Sequence, residues 1–319
     1  MKDFSRVEKI ANAVLYEGYV LYPYRPSAVK NQQRFNFGVL YPREFCDLNP
    51  GSDAWEAQTE CLVTGTPSIS IEVRVRFLQM AVRQGSPDGA EWQEGIEREV
   101  DSPVCSLESV LEQSLLQSFT LDASSGDDAP RTEQIQGELE LGASRPGEGV
   151  YRLTFRVRNR SILEGATSLR REVTRDEALL KSLVSAHSIL RAADGSFISS
   201  MDPPERYRTA SQECHNIGTW PVLAGEEGQT DLMLSSPIIL YDYPQIAPES
   251  PGDLCDGLEI DEILALRILT LTDEEKQEVR EGDDRARRIL ERTEMLPPEH
   301  FQKLHGALRG LREPAGETR

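Results

Sequence analysis

The residues with the most obvious chemistry are Cys214 and His215, adjacent in Glu213-Cys214-His215-Asn216, with His187 upstream on a predicted strand. A soft thiolate and imidazole donors suit zinc, nickel or iron. Cys255 or Asp256, farther on, adds another donor. Neighbours on a strand point to opposite faces, so Cys214 and His215 can share a metal only from a loop, which Asn216-Ile217-Gly218 favours. No Cys-x-x-Cys or paired-histidine spacing anchors the set. The plainer reading is a buried thiol beside ordinary histidines.

Two charged stretches compete with that cluster. Asp253, Asp256, Glu259, Asp261 and Glu262 gather carboxylates at the start of a predicted helix, where the helix dipole alone accounts for acid. The segment 22–34 runs the other way, as a basic loop interleaved with aromatics and prolines in an acidic protein. Its Tyr22, Tyr24, Arg25, Lys30, Asn31 and Arg34 form a candidate partner- or anion-binding set. The competing account pairs these cations with the protein's own surplus carboxylates.

The bulk composition narrows the classes. Among 319 residues, 35 Lys and Arg face 54 Asp and Glu, a net charge of −19. Nucleic acid and anionic membranes both call for a basic surface, so neither is the expected partner. The chain lacks a phosphate-cradling glycine loop, a dinucleotide-binding glycine fingerprint, a zincin helix, an EF-hand loop and a nucleophile elbow. No catalytic residue is assigned, no cofactor is expected beyond the candidate transition metal, and an enzyme is the less favoured class. The N-terminus has no secretory h-region and no window is apolar enough to span a membrane. The five cysteines are odd in number and scattered, which fits free thiols and a cytoplasmic protein.

These residues need elements to hold them. Ile69, Ile71, Val73, Val75 and Phe77 alternate with polar residues, and Tyr151, Leu153, Phe155 and Val157 alternate with arginines and Thr154, so both stretches predict strands. After Leu78 the apolar phase slips, which predicts a bulge or a change of packing environment. Residues 142–149 read as the Gly/Pro-rich connection of a hairpin, and Phe35, Phe37, Val39 and Tyr41 as another strand, after an apolar run from Ala13 to Tyr22. Leu183–Leu190, the turn Ala193-Asp194-Gly195 and Phe197-Ile198 read as strand, turn and strand. Residues 201–218 look irregular. Trp220–Leu223 and Ser236–Tyr243 each predict a strand, the second at an edge or end because Pro237 and Pro244 bracket it. Capping boxes at Asp256 and Thr272, and Pro297-Pro298, open three C-terminal helices. The expected fold is α+β: an antiparallel β-sandwich-like core over 1–245, with a small helical C-terminal unit over 246–319.

Three stretches then carry a resemblance: 13–40, 234–253 with its Leu234-Ser-Ser-Pro-Ile-Ile-Leu-Tyr-Asp-Tyr-Pro244 run, and 256–276. They resemble a bacterial family encoded beside [NiFe]-hydrogenase structural and maturation genes, in clusters of the actinobacterial type. The resemblance implies a non-catalytic accessory, assembly or maturation factor whose partners are hydrogenase subunits or maturation proteins. It implies no catalytic residues. The alternative is a metal-dependent enzyme or a nickel, iron or zinc carrier built on His187, Cys214 and His215.

Overall fold

The computed structural model describes residues 4–16, 37–51, 53–84, 91–125, 130–163 and 173–245, and eight helical residues between 273 and 294. Two compact units divide the chain: Met1–Leu21 with Gln32–Gln245, and Tyr22–Asn31 with Ile246–Arg319.

In the first unit two antiparallel sheets pack face to face. The five-stranded sheet runs β10 (Ser196–Phe197), β1 (Glu56–Thr64), β8 (Val150–Asn159), β7 (Ile135–Gly147), β5 (Leu115–Leu121). The seven-stranded sheet runs β11 (Trp220–Leu223), β12 (Leu232–Ser236), β9 (Val184–Ala193), β2 (Ser70–Gln84), β3 (Glu91–Asp101), with β4 (Cys105–Ser106) and β6 (Arg131–Thr132) pairing to β2. Because strand side chains alternate, Val73, Val75 and Phe77 of β2 share one core with Leu139, Leu141, Leu153, Phe155 and Val157 of the facing sheet. This is the α+β, sandwich-like architecture that the alternation predicts. A buried hydroxyl pair crosses it, Thr59 to Ser235 at 2.6 Å. Gly137 lies opposite Phe119 of β5, whose ring occupies the space a Cβ would need.

The N-terminal residues form a helix, α1 (Ser5–Tyr16), which takes in the first part of the apolar run that begins at Ala13. Val7, Ala11 and Val14 recur at helical spacing and pack with Ile189, Leu232 and Leu234 on the outer face of the seven-stranded sheet. A third cluster gathers Leu15, Tyr41, Phe45, Leu78, Met80, Leu179 and Val184. This is where the phase slip of β2 leads. Arg76 pairs with His187, but Leu78 pairs with Val184, so β9 carries an extra residue at the bulge and Ser185 sits at φ 54°.

Other expectations are corrected. Residues 37–41 are not a strand: Gly38 turns the chain at φ 56° against Pro237, and only Leu40 makes isolated bridges. The connection after β7 is shorter than 142–149, because β7 continues to Gly147 and turns through Glu148-Gly149. The expected strand, turn and strand around Asp194, at φ 65°, are present, and the turn carries the chain from β9 in one sheet to β10 in the other. Irregular 201–218 includes a 3-10 turn, Glu205–Tyr207, and a short helix, α5 (Arg208–Gln212). The predicted strand 236–243 ends where it was to begin, since β12 stops at Ser236 and Pro237 has no N–H for the ladder.

The edge strand is β11. Ala224 N–H bonds inward to Leu232 O, so Leu223 faces outward, where its N–H meets Asp242 Oδ1 at 2.8 Å and its carbonyl accepts from Tyr243 N–H at 2.7 Å. Pro221, also outward, has no donor. At the opposite margin β3 has no outer partner strand among the described residues.

Short helices close the periphery: α2 (Arg43–Leu48), α3 (Leu107–Glu112) capped by Ser106, and α4 (Arg175–Leu179) with a capping box from Thr174 and Glu177. Asn159 is fully buried at the end of β8. Its side-chain amide donates to Leu40 O and Lys181 O and its oxygen accepts from Ser161 N–H, joining three segments. No helix among the described residues is long and apolar enough to cross a membrane. In the second unit, Lys276 and Arg280 both pair with Glu294, at 3.2 and 2.9 Å.

Candidate functional site

The arginines that alternate along β8 and β2 do not stand free in solvent. On the five-stranded sheet, Arg156 lies between Gln58 of β1 at 2.6 Å and Glu140 of β7 at 3.2 Å. Arg158 bonds to Glu56 on one side and to Glu138 and Glu140 on the other, and Arg160 adds to Glu138. Burial alone would push the Glu138 carboxyl up, but the hydrogen bonds from Arg160 and Arg158 outweigh it and hold the group below the usual carboxylate range. The seven-stranded sheet repeats the scheme with Arg191–Glu72 at 3.1 Å, Arg74–Asp101 at 2.8 Å, and Arg76 against Glu99 and Glu97 at 2.8 and 3.5 Å.

His187 belongs to the second of these faces. Its ring is buried on β9, cross-strand from Arg76, with Nδ1 2.9 Å from Ser185 O, so Nδ1 carries the proton. Nε2 is buried without a hydrogen-bond partner among the described residues. Burial, opposed by the Ser185 carbonyl and assisted by the Arg76 charge, pulls its pKa down to about 4.

Cys214 and His215 follow α5 and lie against the outer face of the other sheet. His215 N–H donates to Glu60 Oε2 at 2.8 Å, while its carbonyl accepts from Gln58 Nε2. Cys214 Sγ donates to Ala210 O. Burial raises the Cys214 thiol against an opposing pull from Arg152, so the protonated form is favoured. Cys214 and His215 are thus brought together with Glu60, whereas His187 belongs to the other sheet. Among the described residues no three His, Cys, Asp or Glu side chains form a group that could hold a metal ion, so the set His187, Cys214 and His215 is not assembled. Cys255 and Asp256 lie outside the described residues, as do Tyr22, Tyr24, Arg25, Lys30, Asn31 and Arg34.

A shallow hollow of about 310 Å³ is lined by Phe45, Asn49, Asp53, Val173, Thr174 and Arg175. Its guanidinium is already engaged. Arg175 grips Asp53 with contacts of 2.9 and 2.7 Å and donates to the Tyr41 hydroxyl at 2.7 Å.

The run 234–244 supplies a feature that strand periodicity alone does not reveal. Ile238 and Leu240 pack against the α1 cluster, while Ile239 and Tyr241 point away and stand 74% and 80% exposed. Asp242 fixes this arrangement by accepting from Leu223 N–H and from Ser199 Oγ–H. The available signal was the unbroken quartet Ile-Ile-Leu-Tyr: four consecutive apolar residues beside one core leave two for the other side.

No protein-family model matches the chain, and no curated protein matches it.

Proposed function

We propose that this protein is a non-catalytic accessory factor for a [NiFe] hydrogenase, acting in assembly or maturation by holding another protein. The observation that carries the proposal is the use made of the 234–244 run, one of the three stretches that bear the family resemblance. Its proline, its acid and its two inward apolar residues anchor a segment whose outward side chains, Ile239 and Tyr241, are large, apolar and exposed. Large side chains held in water at the margin of a packed sheet are what a partner-binding surface needs. The many cross-strand Arg–Glu pairs support the same reading, since their charges are engaged with one another. The basic segment 22–34 is the proposed second contact.

A pull-down from the native host with the full chain as bait tests this. Hydrogenase subunits or maturation proteins are expected among the specifically retained proteins, and deletion of the gene is expected to lower hydrogenase activity. Recovery of neither class, together with normal activity in the deletion strain, would overturn it.

A further inference from the structure

The exposed pair Ile239 and Tyr241 has neighbours that define what it fits. Met201 and Asp202 donate their backbone N–H groups to Ser199 Oγ, which itself bonds Asp242, so the 199–202 turn is tied beside the row. Met201 is a large exposed apolar residue and Asp202 is exposed. The Tyr243 hydroxyl meets the Gly228 backbone and the Glu227 charge, which places the exposed Glu226-Glu227 turn nearby. Trp220, 44% exposed, pairs with Ser236 where the row begins. Arg6 reaches the 226–229 turn through Gln229 and is paired with Asp231. Aromatic and aliphatic side chains are therefore bordered by Asp202, Glu226 and Glu227.

We infer that this surface docks a protein segment whose apolar side chains are flanked by Lys or Arg. The apolar residues supply contact area, with tyrosine and tryptophan among the residue types that most often dominate interfaces. The acidic border selects the sign of the partner's rim and speeds encounter. A second copy of this chain fits poorly. A two-fold contact through the row would bring one acidic border, Asp202, Glu226 and Glu227, up to another, on molecules each carrying −19. The inference rests on the partner-holding reading above, but not on the partner being a hydrogenase protein.

The test uses the full chain and two labelled synthetic peptides sharing a Leu-Phe-Leu core, one flanked by lysines and one by glutamates, followed by fluorescence anisotropy. The lysine-flanked peptide is expected to bind saturably, more weakly at high salt, and the glutamate-flanked peptide not to bind. Ile239→Ser with Tyr241→Ser is expected to weaken binding about tenfold or more. Asp202→Asn with Glu227→Gln keeps the apolar row and is expected to reduce the salt dependence. This second variant also guards against a folding defect in the first, which the unfolding midpoint would show. Equal binding of both peptides, or unchanged binding by the Ile239/Tyr241 variant, would overturn the inference. So would self-association in sedimentation that the same variant abolishes, because a second copy would then be the occupant. Failure here with a successful pull-down would displace the surface and keep the function; the reverse would keep the surface and displace the function.

Discussion

The outer faces of the two sheets are built from the same sequence device and end in different environments. On β8, Arg156 and Arg158 lie across the five-stranded sheet with side chains 30% and 16% exposed. On β2, Arg76 is 4% exposed and shares its row with the buried His187, in the sheet whose outer face carries α1. Alternation dictates that two faces differ in polarity; it does not dictate that the polar face is wet. The energetic consequence is large. Ions in water are readily replaced, whereas a buried guanidinium depends on its partners and on its own packed stem.

That contrast makes quantitative predictions. The largest effect is expected for Arg76→Ala, which removes both a buried stem and its charge and should cost about 3 kcal/mol in chemical denaturation. Arg76→Met keeps the volume without the charge and is expected to recover most of the loss; if it does not, the ion pairs themselves carry the stability.

Acid should single out the same face. His187 has its pKa lowered from 6.5 to about 4, so between those values the unfolded chain takes up a proton that the folded chain refuses. Its contribution is complete above about pH 6.5 and is lost as pH falls toward 4, by up to about 3 kcal/mol. His187→Gln is expected to flatten that limb of the stability curve. An unchanged slope would show that the ring is hydrated in solution.

On the more solvated five-stranded face, Arg158→Ala is expected to cost less than Arg76→Ala, about 1–2 kcal/mol, and less still in high salt. A loss as great as that for Arg76→Ala would erase the distinction between the faces. Smallest of all, Ile239→Ser with Tyr241→Ser should change the unfolding free energy by less than about 0.5 kcal/mol per residue, because neither side chain is part of a core.

Much of the scaffold was legible. The alternation of 69–77 and 151–157 gives β2 and β8, and the slip after Leu78 marks the bulge and the entry of Leu78 and Met80 into a second core. What stayed hidden has physical causes. Strand β3 is rich in glutamates because it sits at an edge and pairs with arginines of β2, so it shows no apolar alternation. Helix α1 has the right spacing, but its apolar run merges with the residues that follow it. The candidate site was legible in composition and not in placement. Cys214 and His215 do share a loop, but His187 is assigned to the other sheet by pairing across strands distant in sequence. The exposure of Ile239 and Tyr241 depends on which neighbours their own segment packs against, and sequence adjacency carries no record of that.

The two margins of the seven-stranded sheet oppose polymerisation by different means. At β11, Pro221 and the Tyr243–Leu223 backbone bond leave little for an incoming strand to pair with, at any pH. At β3 the deterrent is charge: Glu94, Glu97, Glu99 and Asp101 with their arginine partners on β2. Salt screens the second device and leaves the first untouched, so strand addition at high ionic strength should be one-ended, growing at β3 and blocked at β11.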